Sequence, residues 1–158
     1  MNDQSSQPNK TRVSSATTTT VHTEQPWHAS YPAPRSEAKS ITRHELLRLL
    51  KSDAAMDHDF VLGGTIQGSI NLPAQSLWPT ISSHYNIWIK AGVRRVIWYC
   101  GSSRGRGRRA AGWFADYLNE RGESRMQSLV LSEGIKAWAA EKGEFVRYMQ
   151  EYDESKWS

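Results

Sequence analysis

Cysteine is almost missing from this chain: among 158 residues there is one, Cys100. An intramolecular disulfide is therefore excluded, and a reducing, cytoplasmic or nuclear setting is the default expectation. Long apolar runs are also missing. The mean hydropathy is −0.65, and no run approaches the ~18 apolar residues that a membrane-spanning helix needs. The N-terminus lacks the charged-then-apolar design of a secretory signal. His58 and His84 stand without the company of other ligand-type residues, so no metal site is proposed. No internal repeat is visible.

Acidic residues are absent from one long stretch, with no aspartate or glutamate between Asp59 and Asp116. That span holds Lys90, Arg94, Arg95, Arg104, Arg106, Arg108 and Arg109. The formal net charge of +4 is thus concentrated around the cysteine rather than spread over the chain. Arg108 and Arg109 fall where a helix should begin. A cation there opposes the helix macrodipole, and a bound anion would offset that cost.

Large apolar side chains are scarce before Pro26, where Ser, Thr, Gln and Asn dominate and threonine runs from Thr17 to Thr20. Such a segment cannot bury enough surface to order itself, so residues 1–25 read as a disordered Ser/Thr-rich tail. Residues 26–158 have the length of a single domain. Trp27 to Arg35, with Pro32 and Pro34, reads as an extended entry segment whose Trp27 and Tyr31 lie against the domain, and Ser36 to Lys39 as the lead-in to a helix. Thr42 and Glu45 form a capping box, with Ile41 and Leu46 spaced as a hydrophobic staple. The stripe of Leu46, Leu47, Leu49 and Leu50 carries that helix to about Ser52. His44, near its start, reads as a surface residue.

Phe60 to Leu62 starts a strand that Gly63 and Gly64 stop after three residues, short of the usual ~5 to 6. Ser69 to Leu72 is a second short strand ended by Pro73. Leu77 to Lys90 reads as helical at least in its second half, with Gly92 at its C-terminal cap. Val96 to Tyr99 is a continuous apolar run, the pattern of a strand covered on both faces. Ala110, Trp113, Phe114, Tyr117 and Leu118 recur at helical spacing, and Gly122 supplies the stop. Leu129 to Leu131 is another buried strand. Ile135 to Ala140 begins a short helix, and Phe145, Val146, Met149 and Tyr152 suggest a closing one. Strands alternating with helices imply a parallel sheet covered on both faces.

Between the apolar strand and the helix that follows it lies Cys100-Gly101-Ser102-Ser103-Arg104-Gly105-Arg106, a Cys-x5-Arg loop. A loop that turns back on itself at this point aims successive backbone N–H groups into one concavity, and glycines permit the φ values required. The helix N-terminus adds unpaired N–H groups and a positive dipole end. A cysteine at the rim of such a nest is favoured as the thiolate, and an arginine closing the loop offers a planar fork to two oxygens of a phosphate or arsenate. The rival readings are an inert thiol at a strand end and, for Arg104 to Arg109, a solvated basic face or an RNA-binding arginine-glycine segment. The position between a buried strand and a helix favours the oxyanion cradle and disfavours nucleic acid.

Taken in order, GGTIQGSINLPA, VIWYCGSSRGR and VLSEGIKAW resemble the rhodanese-like domain. Its marks are a Gly-x-Ile-x-Gly-Ala-x-Asn-x-Pro stretch, a cysteine loop after a buried strand, and a Gly-Ile-x-x-Trp helix start. The resemblance spans about Thr42 to Gly143 and implies an α/β three-layer sandwich, a central, mostly parallel sheet with helices on both faces. Sulfurtransferases of that family have a loop one residue shorter, whereas its cell-division-cycle dual-specificity phosphatases and fungal arsenate reductases use Cys-x5-Arg. The resemblance therefore implies Cys100 as nucleophile and Arg106 as the oxyanion-binding side chain, with Gly101, Ser102, Ser103, Arg104 and Gly105 supplying the loop and Arg109 in support. The partner would be a phosphorylated substrate or a small oxyanion. No bound cofactor is implied; for arsenate, external glutathione or glutaredoxin would supply the second thiol. Nothing in the sequence assigns an oligomeric state.

Three positions depart from the family pattern. Tyr99 stands where the phosphatases have histidine, Glu133 where glycine is usual, and the strand ending at Leu62 runs straight into Gly63 without the family's Asp-x-Arg turn, so part of a central strand is missing. The leaving-group acid is left open among Asp57, Asp59, Asp116, Glu133 and the substrate itself. A thiosulfate sulfurtransferase and a catalytically inactive rhodanese-like binding domain are the alternative readings.

Overall fold

A computed structural model describes residues 25–52, 59–62 and 66–157. The tail at 1–24 and the segment from Gly63 to Thr65 lie outside the described residues. The elements run β1 (Lys39–Ile41), α1 (Arg43–Lys51), β2 (Asp59–Leu62), β3 (Ser69–Ile70), α2 (Ala74–Lys90), β4 (Arg95–Trp98), α3 (Arg106–Glu120), β5 (Gln127–Leu131), α4 (Gly134–Glu141) and α5 (Glu144–Arg147), followed by a 3₁₀ turn at Glu154–Lys156. The five strands form one sheet in the order β1-β5-β4-β2-β3, each neighbouring pair parallel.

The apolar run of β4 explains its central place. Val96 and Trp98 face one side, packed with α2 and α3 residues such as Trp88, Ala111 and Phe114. Ile97 and the following Tyr99 face the other, with Leu46 of α1 and Trp138 of α4. Side chains two apart share a face of a strand, so one continuous apolar run feeds two cores. In β5, Leu129 and Leu131 join the second core and Val130 the first. Ser128, buried on the first face, accepts from Trp98 Nε1 at 3.0 Å and donates to the Ala111 carbonyl at 2.7 Å, so its hydroxyl is satisfied.

Local signals held where they were complete. Thr42 caps α1, its hydroxyl accepting from the Glu45 amide while the Glu45 carboxylate returns to the Thr42 backbone. Ile41 and Leu46 of the staple are both buried in the second core. After α2, the Gly92 amide donates to the Ile89 carbonyl at 3.2 Å and Val93 to Trp88 at 3.0 Å, the paired bonds of a Schellman cap.

Elsewhere the structure departs from the sequence reading. Ser36 to Lys39 does not simply lead in to the helix: Lys39–Ile41 is an edge strand, with Lys39 opposite Leu129 and Ile41 opposite Leu131. A three-residue strand with one buried side chain has too few alternations to register as a period. The helix before β4 begins at Ala74, earlier than Leu77, and keeps Pro79 inside it. The strand from Ser69 stops at Ile70 because Pro73 already caps α2. Trp27 to Arg35 opens on a tight turn, with Ala29 N donating to Pro26 O at 2.8 Å and Tyr31 N to His28 O at 3.0 Å. The closing helix is one turn long, after which Met149 bridges to Ile66. The strand judged short ends at Leu62 as expected, yet it pairs along its length with β4 and at its end with β3, so the sheet closes around it.

Candidate active site

Parallel α/β sheets place ligands outside the carboxyl ends of their strands, and Cys100 lies there, two residues past the end of β4. The loop from Cys100 to Gly105 leads into α3, whose first residue is Arg106 and whose N-cap is Gly105. Ser103 takes a left-handed φ of 55°, and a left-handed residue inside a tight loop turns neighbouring N–H groups inward to form a nest. Its side chain is buried, with the hydroxyl 3.5 Å from the Cys100 amide.

The thiol is half-buried and accepts from the Gly107 amide at 3.4 Å. This N–H belongs to the first turn of α3, one of the groups a helix leaves unpaired. Gly107 is needed for close approach: a Cβ there would stand 3.2 Å from the Cys100 amide nitrogen and from the Tyr99 Cα.

A second helix braces the loop from the opposite side. Ile135 N donates to the Cys100 carbonyl and Lys136 N to the Gly101 carbonyl, both at 3.0 Å. Gly134, at φ 66°, permits this, because a Cβ would collide with the Cys100 carbonyl oxygen. The Gly-Ile-x-x-Trp helix start thus serves the site. Its sequence signal was read for fold, and the contribution of Gly134 and Lys136 to the loop was missed. Glu133, just before, holds the left-handed φ of 62° that glycine adopts more readily.

Two openings meet at Cys100. A cleft of 190 Å³ lies toward the start of α2, lined by Asn71, Leu72, Pro73, Trp98, Cys100 and Arg106 among others. A shallower depression of 430 Å³ lies over the loop mouth, lined by Trp27, His28, Cys100, Ser102, Arg106, Arg109 and Lys136 with Gly101 and Gly105. Arg106 borders both. Among the described residues no carboxylate pairs with Arg104, Arg106, Arg109 or Lys136. Arg108 faces Glu37 at 3.7 Å and Arg109 lies 5.9 Å over the Trp113 ring. Gly101, Ser102, Gly105, Arg106 and Arg109 therefore come together around the thiol, while Arg104 points to a neighbouring hollow beside Glu37 and Arg108.

Of the candidate acids, Asp116 and Glu133 are engaged elsewhere. Asp116 is buried in another task, accepting from the Arg35 and Ser36 amides at 2.8 and 2.7 Å. Glu133 pairs with Arg43 at 2.8 Å. Asp59 pairs in register with Arg95, at the opposite end of β4 from the cysteine, and Asp57 lies outside the described residues. Tyr99, in the phosphatase histidine position, turns into the second core. Its hydroxyl accepts from the Ile66 amide at 3.1 Å and shares a hydrogen bond with Ser69 at 2.8 Å. Burial pushes its ionisation above the ordinary phenol value.

No protein-family model matches the sequence, and no curated protein matches it significantly. Solved structures do match. An As-Sb reductase from Leishmania major superposes with a TM-score of 0.63 at 23% identity, over 71% of this chain and 84% of that one. Ygr203w, a yeast protein tyrosine phosphatase of the rhodanese family, gives 0.63 at 20% identity over 78% and 99%. A second structure of Saccharomyces cerevisiae Ygr203w, described as a homolog of single-domain rhodanese and of the Cdc25 phosphatase catalytic domain, gives 0.61 at 21% identity over 77% and 92%. The parallel sheet with helices on both faces is therefore the fold that this chain shares with these proteins, the rhodanese fold.

Proposed function

We propose that this chain is a cysteine-dependent phosphatase or arsenate reductase in which the Cys100 thiolate attacks an oxyanion held by the 100–106 loop. The observation that carries it is the hydrogen bond from the Gly107 amide to Cys100 Sγ, made at the mouth of a loop whose last residue, Arg106, borders both openings to the thiol. The cations around that mouth, paired with no carboxylate among the described residues, and the names of the solved relatives support the same reading.

In the phosphatase form an S–P bond forms as the P–O bond to the leaving group breaks, the electron pair leaving with that oxygen. Water then attacks phosphorus and Cys100 is released as thiolate. Loop N–H groups and the Arg106 fork hold the non-bridging oxygens, and these bonds strengthen as charge moves onto them in the transition state. In the arsenate form Cys100 displaces water from arsenic. A glutathione thiolate then attacks the Cys100 sulfur, the S–As pair passes to arsenic, and arsenite leaves as an S–S bond forms. Glutaredoxin or a second glutathione reduces that mixed disulfide.

The test is hydrolysis of an aryl phosphate and, separately, arsenate reduction with glutathione and glutaredoxin, each compared with Cys100→Ser. Activity in either assay, lost in the variant, is the expected result. Failure of both, with thiocyanate formed from thiosulfate and cyanide, would replace this reading with a sulfurtransferase. Failure of all three would leave a binding domain.

A further inference from the structure

We propose that His28 is the proton donor and acceptor of this site. The inference rests on the phosphatase form of the reading above and supplies a proton donor where Asp116 and Glu133 are engaged elsewhere. His28 lines the depression over the loop mouth together with Cys100 and Arg106, and among the described residues no carboxylate lines either opening to the thiol.

Its placement is built rather than incidental. The Pro26 to Tyr31 turn is closed by two backbone hydrogen bonds, one accepted by the His28 carbonyl itself. The Trp27 ring stands edge-on to Trp113 of α3 at 6.1 Å, and the imidazole stands edge-on to Trp27 at 5.2 Å. Farther along, Trp113 Nε1 donates to the Pro32 carbonyl at 2.8 Å and the Asp116 carboxylate accepts from Arg35 and Ser36. The segment carrying His28 is thus tied at several points to the helix whose N-terminus faces the thiol. A positioned group on a braced element is what proton transfer requires.

The steps balance around this residue. As Cys100 Sγ bonds to phosphorus and the P–O bond breaks, the leaving oxygen takes the proton of the His28 imidazolium. The neutral imidazole then takes a proton from the water that attacks the cysteinyl-phosphate, regenerating imidazolium and releasing inorganic phosphate. Arg106 and Arg109 of α3 and Lys136 of α4 face the same depression.

The experiment compares His28→Gln with the wild-type chain on two aryl phosphates, para-nitrophenyl phosphate with a good leaving group and phenyl phosphate with a poor one. Since kcat/KM reports leaving-group departure, the variant should lose about 100-fold on phenyl phosphate. Its loss on para-nitrophenyl phosphate should be at least about 10-fold smaller. Added imidazole should restore part of the phenyl phosphate rate to His28→Ala, and unfolding temperatures matching wild type would confirm that the fold is kept. Equal losses on both substrates, or no loss on either, would overturn the proposal while leaving the phosphatase reading in place. A wild-type chain that hydrolyses neither substrate, no differently from Cys100→Ser, would overturn the phosphatase reading and this proposal with it.

Discussion

Cys100 and Gly107 are joined by a hydrogen bond that reaches from the first turn of α3 back to the end of β4, amide nitrogen to sulfur at 3.4 Å. The bond exists because glycine lets the helix start approach the strand end to within 3.2 Å of a would-be Cβ. It aims the positive end of a helix at the thiol. The close approach and the hydrogen bond thus depend on the same missing side chain.

Replacing Gly107 by valine should separate the two elements. The atoms in the way are backbone, which cannot swing aside, so a loss of about 1–3 kcal/mol is expected, read from denaturant unfolding. Activity measured well below the unfolding transition should fall further than the small unfolded fraction explains.

Arg106→Lys keeps the charge and removes the planar fork. Aryl phosphate hydrolysis should drop by about 100- to 1,000-fold, in kcat more than in KM. An unchanged unfolding temperature would show that the loss belongs to the site.

Glu133→Gly should stabilise the chain. A side chain at φ 62° carries a left-handed penalty of about 1–2 kcal/mol. The exposed pair with Arg43 that is lost contributes about 0–1 kcal/mol, and Arg43 keeps Glu141 at 2.8 Å. A higher unfolding temperature with activity intact is the expected outcome.

Tyr99→Phe should weaken the tie between β4 and the segment before β3, leaving the Ile66 amide without its acceptor at a cost of about 1–3 kcal/mol. It should also change the alkaline limb of stability. Burial raises the Tyr99 ionisation above the ordinary value of 10, so the folded chain holds this proton more tightly than the unfolded one. The stabilisation is full below about pH 10 and is lost as pH rises through the raised value. Unfolding curves taken above pH 10 should therefore lose less stability per pH unit in the phenylalanine variant.

The acid limb should carry a contribution from Glu123. Hydrogen bonds from the Arg125 side chain and backbone, with a further one from the Tyr85 hydroxyl, hold its carboxyl at about 2, down from 4.5. The unfolded chain takes up this proton first as pH falls, so the stabilisation is present above pH 4.5 and is lost toward pH 2. Glu123→Gln should flatten stability across that interval.

The parts of this fold legible in the sequence are those specified by neighbours along the chain. The capping box at Thr42 and Glu45, the run from Val96 to Tyr99, the helical stripe ending at Gly122 and the loop from Cys100 to Arg106 each carry their cause within a few residues. The strand at Lys39 to Ile41 does not. It exists because Leu129 to Leu131 offers an open edge, a partner about 90 positions away. The same holds for the early start of α2, where Pro73 and the packing of Leu77 and Trp78 against the first core outweigh the proline at 79.

The site divides in the same way. Cysteine, arginine and loop length are local, because a nest at a strand-to-helix junction is a matter of consecutive residues and their φ values. Nothing local could reveal that α4 donates to the Cys100 and Gly101 carbonyls, that Asp116 is occupied by Arg35 and Ser36, or that His28 lines the mouth. By itself, the sequence determined the cradle, since backbone conformation and helix polarity follow from neighbouring residues. Tertiary structure decided which side chains surround it, because their positions depend on hydrogen bonds and ring contacts between segments that only packing brings together.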